Sequence, residues 1–175
     1  MLPVSLAIHL WLGAIHPFDD RAARAVVLLF TRTDCPISNR YAPEIKRVYE
    51  KYSGQGVRFY LVYPDKDETA AAIEQHRIEY GYPMPAVQDP SHEWVARASA
   101  KVTPEAAVFV PESPGKRDWR LVYHGRIDDR YIDFGKSRRE ATVRDLQNAL
   151  DAVLAGRKVA PASAKAIGCY IADLR

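Results

Sequence analysis

The chain has 175 residues, 47% of them hydrophobic, 27% charged, and a formal charge of +3. That size suits one domain around a single core. The basic residues are scattered apart from Lys136–Arg139, which excludes a nucleic-acid footprint and reads as a solvated helix start. No run reaches the about 18 apolar residues needed to cross a membrane.

The elements follow in chain order. Val4 to Ala14 is almost wholly apolar and of signal-sequence length, with Leu12-Gly13-Ala14 as a cleavage site, although no Lys or Arg precedes it. The expectation is export, with residues 1–16 as a signal or N-terminal segment; the competing reading is a first strand on the sheet edge. Ala25–Phe30 is a continuous apolar run, as is Gly56–Tyr63, and each suits a strand buried on both faces. Between them Ile37, Tyr41, Ile45, Val48 and Tyr52 recur at helical spacing, with Pro43 set to kink the helix. This is a βαβ unit, hence parallel strands and a right-handed crossover.

Asp65–Glu68 resembles a capping box and predicts a helix through Tyr80, stopped by Gly81. Residues 82–90 are Pro-rich and read as extended or turning. Ser91–Ala100 predicts a short helix, Ala106–Pro111 a third strand, and Trp119–Asp129 a fourth with a turn at Gly125. Ser137–Glu140 is a second capping box ahead of the stripe Val143, Leu146, Leu150 and Val153, which Gly156 ends. The remainder lacks periodicity and reads as a tail. The order β-α-β-α-(α)-β-β-α predicts an α/β sandwich with helices on both faces and a hairpin closing the sheet. The domain is expected over 17–157, with 158–175 as the tail.

Two cysteines, Cys35 and Cys169, exclude a disulfide framework and leave one bridge or two separate thiols. Cys35 falls at the carboxyl end of a strand and the start of a helix. Ligands collect at such strand ends in open α/β sheets, and a helix N-terminus stabilises a thiolate. Arg32 and Arg40 flank it. The preceding Asp34 either raises the thiol pKa by like charge or shuttles a proton. The polar setting "TRTDCPIS" argues against an inert core filler and for a nucleophile or soft-metal ligand.

"LLFTRTDCPISNRYAP" resembles the active-site segment of the thioredoxin-fold redoxins, including the domains related to alkyl hydroperoxide reductase. Phe30, Cys35, Ala42 and Pro43 stand at the matching spacings, and Thr103-Pro104 matches the cis-proline landmark that leads into a strand and faces the active cysteine. The resemblance covers about Ala25 to Gly156. It implies a three-layer sandwich with a central mixed sheet of four or five strands, and thiol-dependent oxidoreductase or peroxidase chemistry on thiols, disulfides or peroxides, with no cofactor. Ser38 stands where the second motif cysteine belongs; it can donate to a thiolate but cannot resolve a mixed disulfide.

Three mechanisms stay open. Cys35 acts alone, or Cys169 resolves it, or both thiols bind Cu(I) with His124 or His92 beside them; a redox-inactive binding module is the bland alternative. The peroxiredoxin pattern Pro-x-x-x-Thr-x-x-Cys is broken, with Leu28 and Arg32 in place of Pro and Thr. Asp128, Asp129 and Asp133 lack calcium-loop spacing and are expected at a charged, solvated hairpin end beside Arg126 and Arg130.

Overall fold

The computed structural model describes residues 16–113, 118–161, 165–172 and 174. The signal-length stretch Val4–Ala14 lies outside the described residues. In chain order the elements are β1 (Ala25–Phe30), α1 (Pro36–Arg40), α2 (Ala42–Tyr52), β2 (Val57–Tyr63), α3 (Ala70–Glu79), β3 (Ala86–Gln88), α4 (Glu93–Ala98), β4 (Val102–Thr103), β5 (Glu105–Pro111), β6 (Trp119–Gly125), β7 (Tyr131–Asp133), β8 (Lys136–Ser137), α5 (Asp145–Leu154) and β9 (Cys169–Tyr170).

Five strands form a mixed sheet in the order β3-β2-β1-β5-β6. β2 runs parallel to both β1 and β3, whereas β5 is antiparallel to β1 and to β6. The fold is thioredoxin-like, with helices covering both faces. β1 shows why its run is unbroken by polar residues. Ala25, Val27 and Leu29 pack under α2, α3 and α5 with Ile45, Val48, Ile73, Leu146 and Leu150. Val26, Leu28 and Phe30 face the other way, toward Trp94 and Val95 of α4 and toward Phe18 and Trp119. A strand buried on both faces leaves no position for a polar alternation. Among the described residues no helix is long and apolar enough to cross a membrane.

Several local features differ from the sequence reading. Pro43 does more than kink the helix: α1 ends at Arg40 and α2 restarts at Ala42, with Tyr41 between them. Proline has no N–H to give and its ring crowds the preceding turn, so it sits best in a new first turn. Asp65–Glu68 does not open a helix. α3 begins at Ala70, where Thr69 Oγ1 accepts the Ala72 amide at 3.2 Å; Asp65 and Glu68 serve the active-site loop instead. Ser137–Glu140 is not a capping box, and Lys136–Arg139 is not a helix start. Lys136 and Ser137 form β8 and pair with β7, and α5 begins only at Asp145.

The Pro-rich stretch supplies an edge strand, β3. Asp128 and Asp129, expected in solvent, are 1% and 5% exposed. Asp128 Oδ1 accepts from the Tyr41 hydroxyl at 2.6 Å, and Asp129 accepts from the Thr142 and Val143 amides and the Thr142 hydroxyl. The Asp129 carboxylate, with both oxygens supplied within the fold, needs no water, whereas Asp128 Oδ2 is buried with no partner among the described residues. The apparent tail also folds back, and its β9 pairs with β4.

Candidate active site

β1 delivers the chain to the site. Past Phe30 the Thr31 amide still bonds Val62 O at 2.9 Å, continuing the ladder. The loop that follows is held from outside. The Thr33 amide donates to Glu68 Oε1 at 2.6 Å, and Thr33 O accepts from Asn39 Nδ2 at 3.1 Å. Asn39 Oδ1 lies 2.8 Å from His76 Nε2, and His76 Nδ1 lies 2.8 Å from the Tyr63 hydroxyl. With the amide nitrogen of Asn39 committed to Thr33, Oδ1 can only accept. His76 Nε2 therefore carries the proton and Nδ1 accepts from Tyr63. Burial lowers the His76 pKa, in keeping with a neutral ring. Arg32 ties the outer side of the loop, bridging Asp34 at 3.2 Å and Asp65 at 3.0 Å.

Cys35 is the N-cap residue of α1, in extended conformation, and its carbonyl accepts the Asn39 amide at 3.0 Å. Its side chain is 0% exposed. The residue belongs to the buried apolar cluster that includes Ile37, Tyr41 and Ala42, but its sulfur meets polar atoms. Sγ lies 3.2 Å from Thr103 O and 2.7 Å from Cys169 Sγ. A disulfide spans about 2.05 Å, so the two sulfurs stand within a small shift of bonding. The Thr103–Pro104 peptide is cis. Glu105 fixes this segment, since its Oε2 accepts the Lys101 amide at 2.8 Å and the Val102 amide at 3.3 Å.

The two thiols are driven apart in acidity. For Cys35, burial is the largest single influence and acts upward. Hydrogen bonds outweigh it, first from the Cys169 thiol, then from the Ser38 hydroxyl and amide and from Thr103, and leave its pKa below the usual thiol value. The Ser38 and Thr103 hydroxyl oxygens are buried without a well-formed partner of their own, which leaves them free to favour a charge on the sulfur. Cys169 is pushed up to about 12, by burial first, then by its hydrogen bond to Cys35 and the charge there. Of the two, Cys35 is therefore the more acidic thiol and Cys169 the one that holds its proton more tightly. A thiol of lowered pKa beside one of raised pKa is the arrangement that a nucleophile with a reserve thiol requires.

Gly168 makes the close approach possible. A Cβ built on it would fall 2.1 Å from Thr103 O and 2.6 Å from Thr103 C. Only glycine can pass so near a backbone.

Of the residues singled out from the sequence, Cys35, Ser38, Thr103, Pro104 and Cys169 come together here. The histidines of the copper alternative are engaged elsewhere. His124 Nδ1 faces Glu105 Oε1 at 3.6 Å, and His92 Nε2 bonds Pro64 O at 3.0 Å. Among the described residues no three of His, Cys, Asp and Glu converge as metal ligands. Sequence reasoning missed Glu68, Asn39, His76 and Glu105, whose roles depend on distant partners. The steric role of Gly168 was signalled only by a glycine beside a cysteine in an otherwise unpatterned segment.

Residues 13–116 match the model of the AhpC/TSA family. The chain belongs to the AhpC/TSA family. It is a redoxin, and thiol-dependent oxidoreductase chemistry is its general class. A hypothetical protein of Sinorhizobium meliloti 1021 shares the architecture with a TM-score of 0.68 and 26% identity, over 86% of this chain and 80% of that one. An uncharacterised conserved protein of Geobacillus kaustophilus aligns with a TM-score of 0.66 and 26% identity, over 86% and 78%. A thioredoxin-like protein solved in its oxidised form gives 0.55 and 14%, over 83% and 87%, a likeness of fold alone. No protein of curated function matches the chain.

Proposed function

We propose that this redoxin is a thiol–disulfide oxidoreductase in which Cys35 attacks and Cys169 resolves. The observation that carries the proposal is the 2.7 Å separation of their sulfurs.

The reaction balances as two exchanges. The Cys35 thiolate attacks one sulfur of a substrate disulfide, and the other sulfur leaves as a thiolate, taking the electron pair of the broken bond. Cys35 is then bonded to the remaining half. Its charge is gone, so one influence that held Cys169 up at about 12 is gone with it. Cys169 now loses its proton more readily, attacks Cys35 Sγ and expels the second half as a thiolate. The substrate has gained two electrons and the protein holds a 35–169 disulfide. An external dithiol returns the protein to its starting state by the reverse exchange.

Disulfides suit the site better than peroxides. A peroxide-orienting threonine would stand at residue 32. Arg32 is there instead, engaged by Asp34 and Asp65. Leu28, where the peroxiredoxin pattern has proline, is a core residue beneath α4.

Turnover of a small disulfide by the full chain, with a dithiol as reductant, tests the reading. Cys35→Ser is expected to abolish turnover. Cys169→Ser is expected to hold half of the substrate on Cys35 when no dithiol is present, and to turn over more slowly than the native chain when the dithiol alone must release that half. Unchanged turnover in either variant would overturn the proposal.

A further inference from the structure

We infer that the β7–β8 hairpin is a membrane-contact element, whose apolar tip and basic flanks seat this protein on the surface of an anionic phospholipid bilayer. The inference is independent of the proposed thiol exchange and gives it a place of action.

The hairpin stands apart from the five-stranded sheet as a ladder of its own. Its base is fixed. Tyr131 is buried, with its ring 5.7 Å from that of Tyr41. The Arg138 amide donates to Arg130 O at 2.7 Å, and the Arg138 side chain bridges Asp129 at 3.3 Å. Beyond that base, residues 132–140 are all exposed. Phe134 and Gly135 make the turn, with Gly135 at φ +72°. Turn positions beside such a glycine ordinarily take polar residues. This chain instead puts Phe134 at the tip, 57% exposed, and Ile132 two residues before it, 45% exposed. One exposed apolar side chain needs no explanation, but two large ones together on a projecting turn mark a contact surface.

The charge pattern selects the partner. Arg130, Lys136, Arg138 and Arg139 lie in the hairpin and its exit, against Asp133 and Glu140. Among the described residues Lys136 and Arg139 have no ion pair, whereas Asp133 turns back to accept the Phe134 amide at 2.8 Å. A cavity of about 380 Å³ opens beside Ile132, with Arg126, Arg138 and Lys165 in its wall. Arg126 is balanced by Asp145 and Arg138 by Asp129, so Lys165 adds a cation that no described acid offsets. An apolar tip with cations behind it matches the order in which an anionic bilayer presents its layers, acyl boundary inside and phosphates outside. Lysine and arginine stems lie along apolar surface while their heads stay with the phosphates. A protein partner needs a preformed pocket for a protruding Phe134, and a bilayer does not. Ile167, also in the cavity wall, lies two residues before Cys169. The seated protein therefore holds its thiol pair close to the membrane surface.

The test uses the full chain and sucrose-loaded vesicles, either of phosphatidylcholine alone or of phosphatidylcholine mixed with phosphatidylglycerol. The native chain is expected to sediment with the mixed vesicles at least about tenfold more strongly than with phosphatidylcholine alone, and to leave them as added salt screens the phosphates. Ile132→Ser with Phe134→Ser is expected to cut binding to the mixed vesicles at least about tenfold. Lys136→Glu with Arg139→Glu is expected to erase the preference for them. Phe134→Trp is expected to keep binding, and the emission it adds over that of the native chain to shift to shorter wavelength on the mixed vesicles only. All four positions are exposed, so circular dichroism and lipid-free turnover of a small disulfide should match the native chain in every variant. That turnover separates the membrane inference from the thiol exchange, which stands or falls without lipid. Equal binding to both vesicle types, binding to neither, or an unshifted emission overturns the inference. So does a lipid-free dimer of the native chain that the two serine changes reduce to a monomer, which would give the tip to a second copy.

Discussion

Cys35 and Cys169 bring their sulfurs to 2.7 Å although 134 positions separate them in sequence. Because the two sulfurs share one hydrogen bond, neither acidity belongs to one residue alone. Cys169→Ala removes the leading influence that lowers the Cys35 pKa while leaving the burial that raises it. The expected result is a Cys35 pKa higher than in the native chain, read from the pH dependence of its alkylation rate. The reciprocal change, Cys35→Ala, should bring Cys169 down from about 12, since the neighbouring charge and its hydrogen bond are gone.

Gly168→Ala tests the close approach to Thr103. With a Cβ due 2.1 Å from Thr103 O, β9 must shift away from β4. A displacement on the order of 1 Å between reacting groups costs up to about 10²-fold in rate. Formation of the 35–169 bridge after addition of an oxidised small disulfide should therefore slow by at least about tenfold. Alkylation of Cys35 should speed up as its cover loosens. Far-ultraviolet circular dichroism should remain close to native, because β9 lies outside the five-stranded sheet.

The active-site loop depends on a neutral His76. Its folded pKa lies below the ordinary value of 6.5, with burial as the first cause. A depressed pKa contributes stability that is present above the unfolded value of about 6.5 and is lost as the pH falls from there through the folded one. Native His76 should thus show a denaturation free energy that declines as the pH drops below 6.5. In His76→Ala that part of the decline should vanish. The same substitution leaves the Asn39 and Tyr63 partners unmatched, at a cost of about 1–3 kcal/mol at neutral pH by chemical denaturation.

Glu105 holds the Thr103–Pro104 segment by accepting two amides, those of Lys101 and Val102. Glu105→Ala should destabilise the fold by about 1–3 kcal/mol. Because β4 is the seat of β9, it should also slow closure of the 35–169 bridge relative to the first attack by Cys35. Stopped-flow comparison of the two steps separates this positioning role from a general loss of stability.

The strands β1, β2, β5 and β6 and the helices α2 and α5 were legible because their signals are local. β1 and β2 announce themselves by unbroken apolar runs, α2 and α5 by helical spacing, and Cys35 by its place between a strand and a helix. What was hidden depends on residues far apart in the chain. The segment around Cys169 carries no periodicity because only two of its residues enter a strand, and that strand exists by pairing with β4. Asp128 and Asp129 looked solvated because their partners, Tyr41 and Thr142, are not sequence neighbours. The two supposed capping boxes failed for a related reason. Glu68 is drawn to the Thr33 amide, 35 positions away, rather than to its own helix. Ser137 is taken up by the β7–β8 hairpin.

The most direct test is to expose the native chain to one equivalent of a small disulfide and map the thiols by proteolytic mass spectrometry. The account predicts one bridged pair of fragments, containing Cys35 and Cys169 of the same monomer, with both free thiols consumed and no substrate half retained. A stable adduct on Cys35 beside an unreacted Cys169 thiol would contradict it.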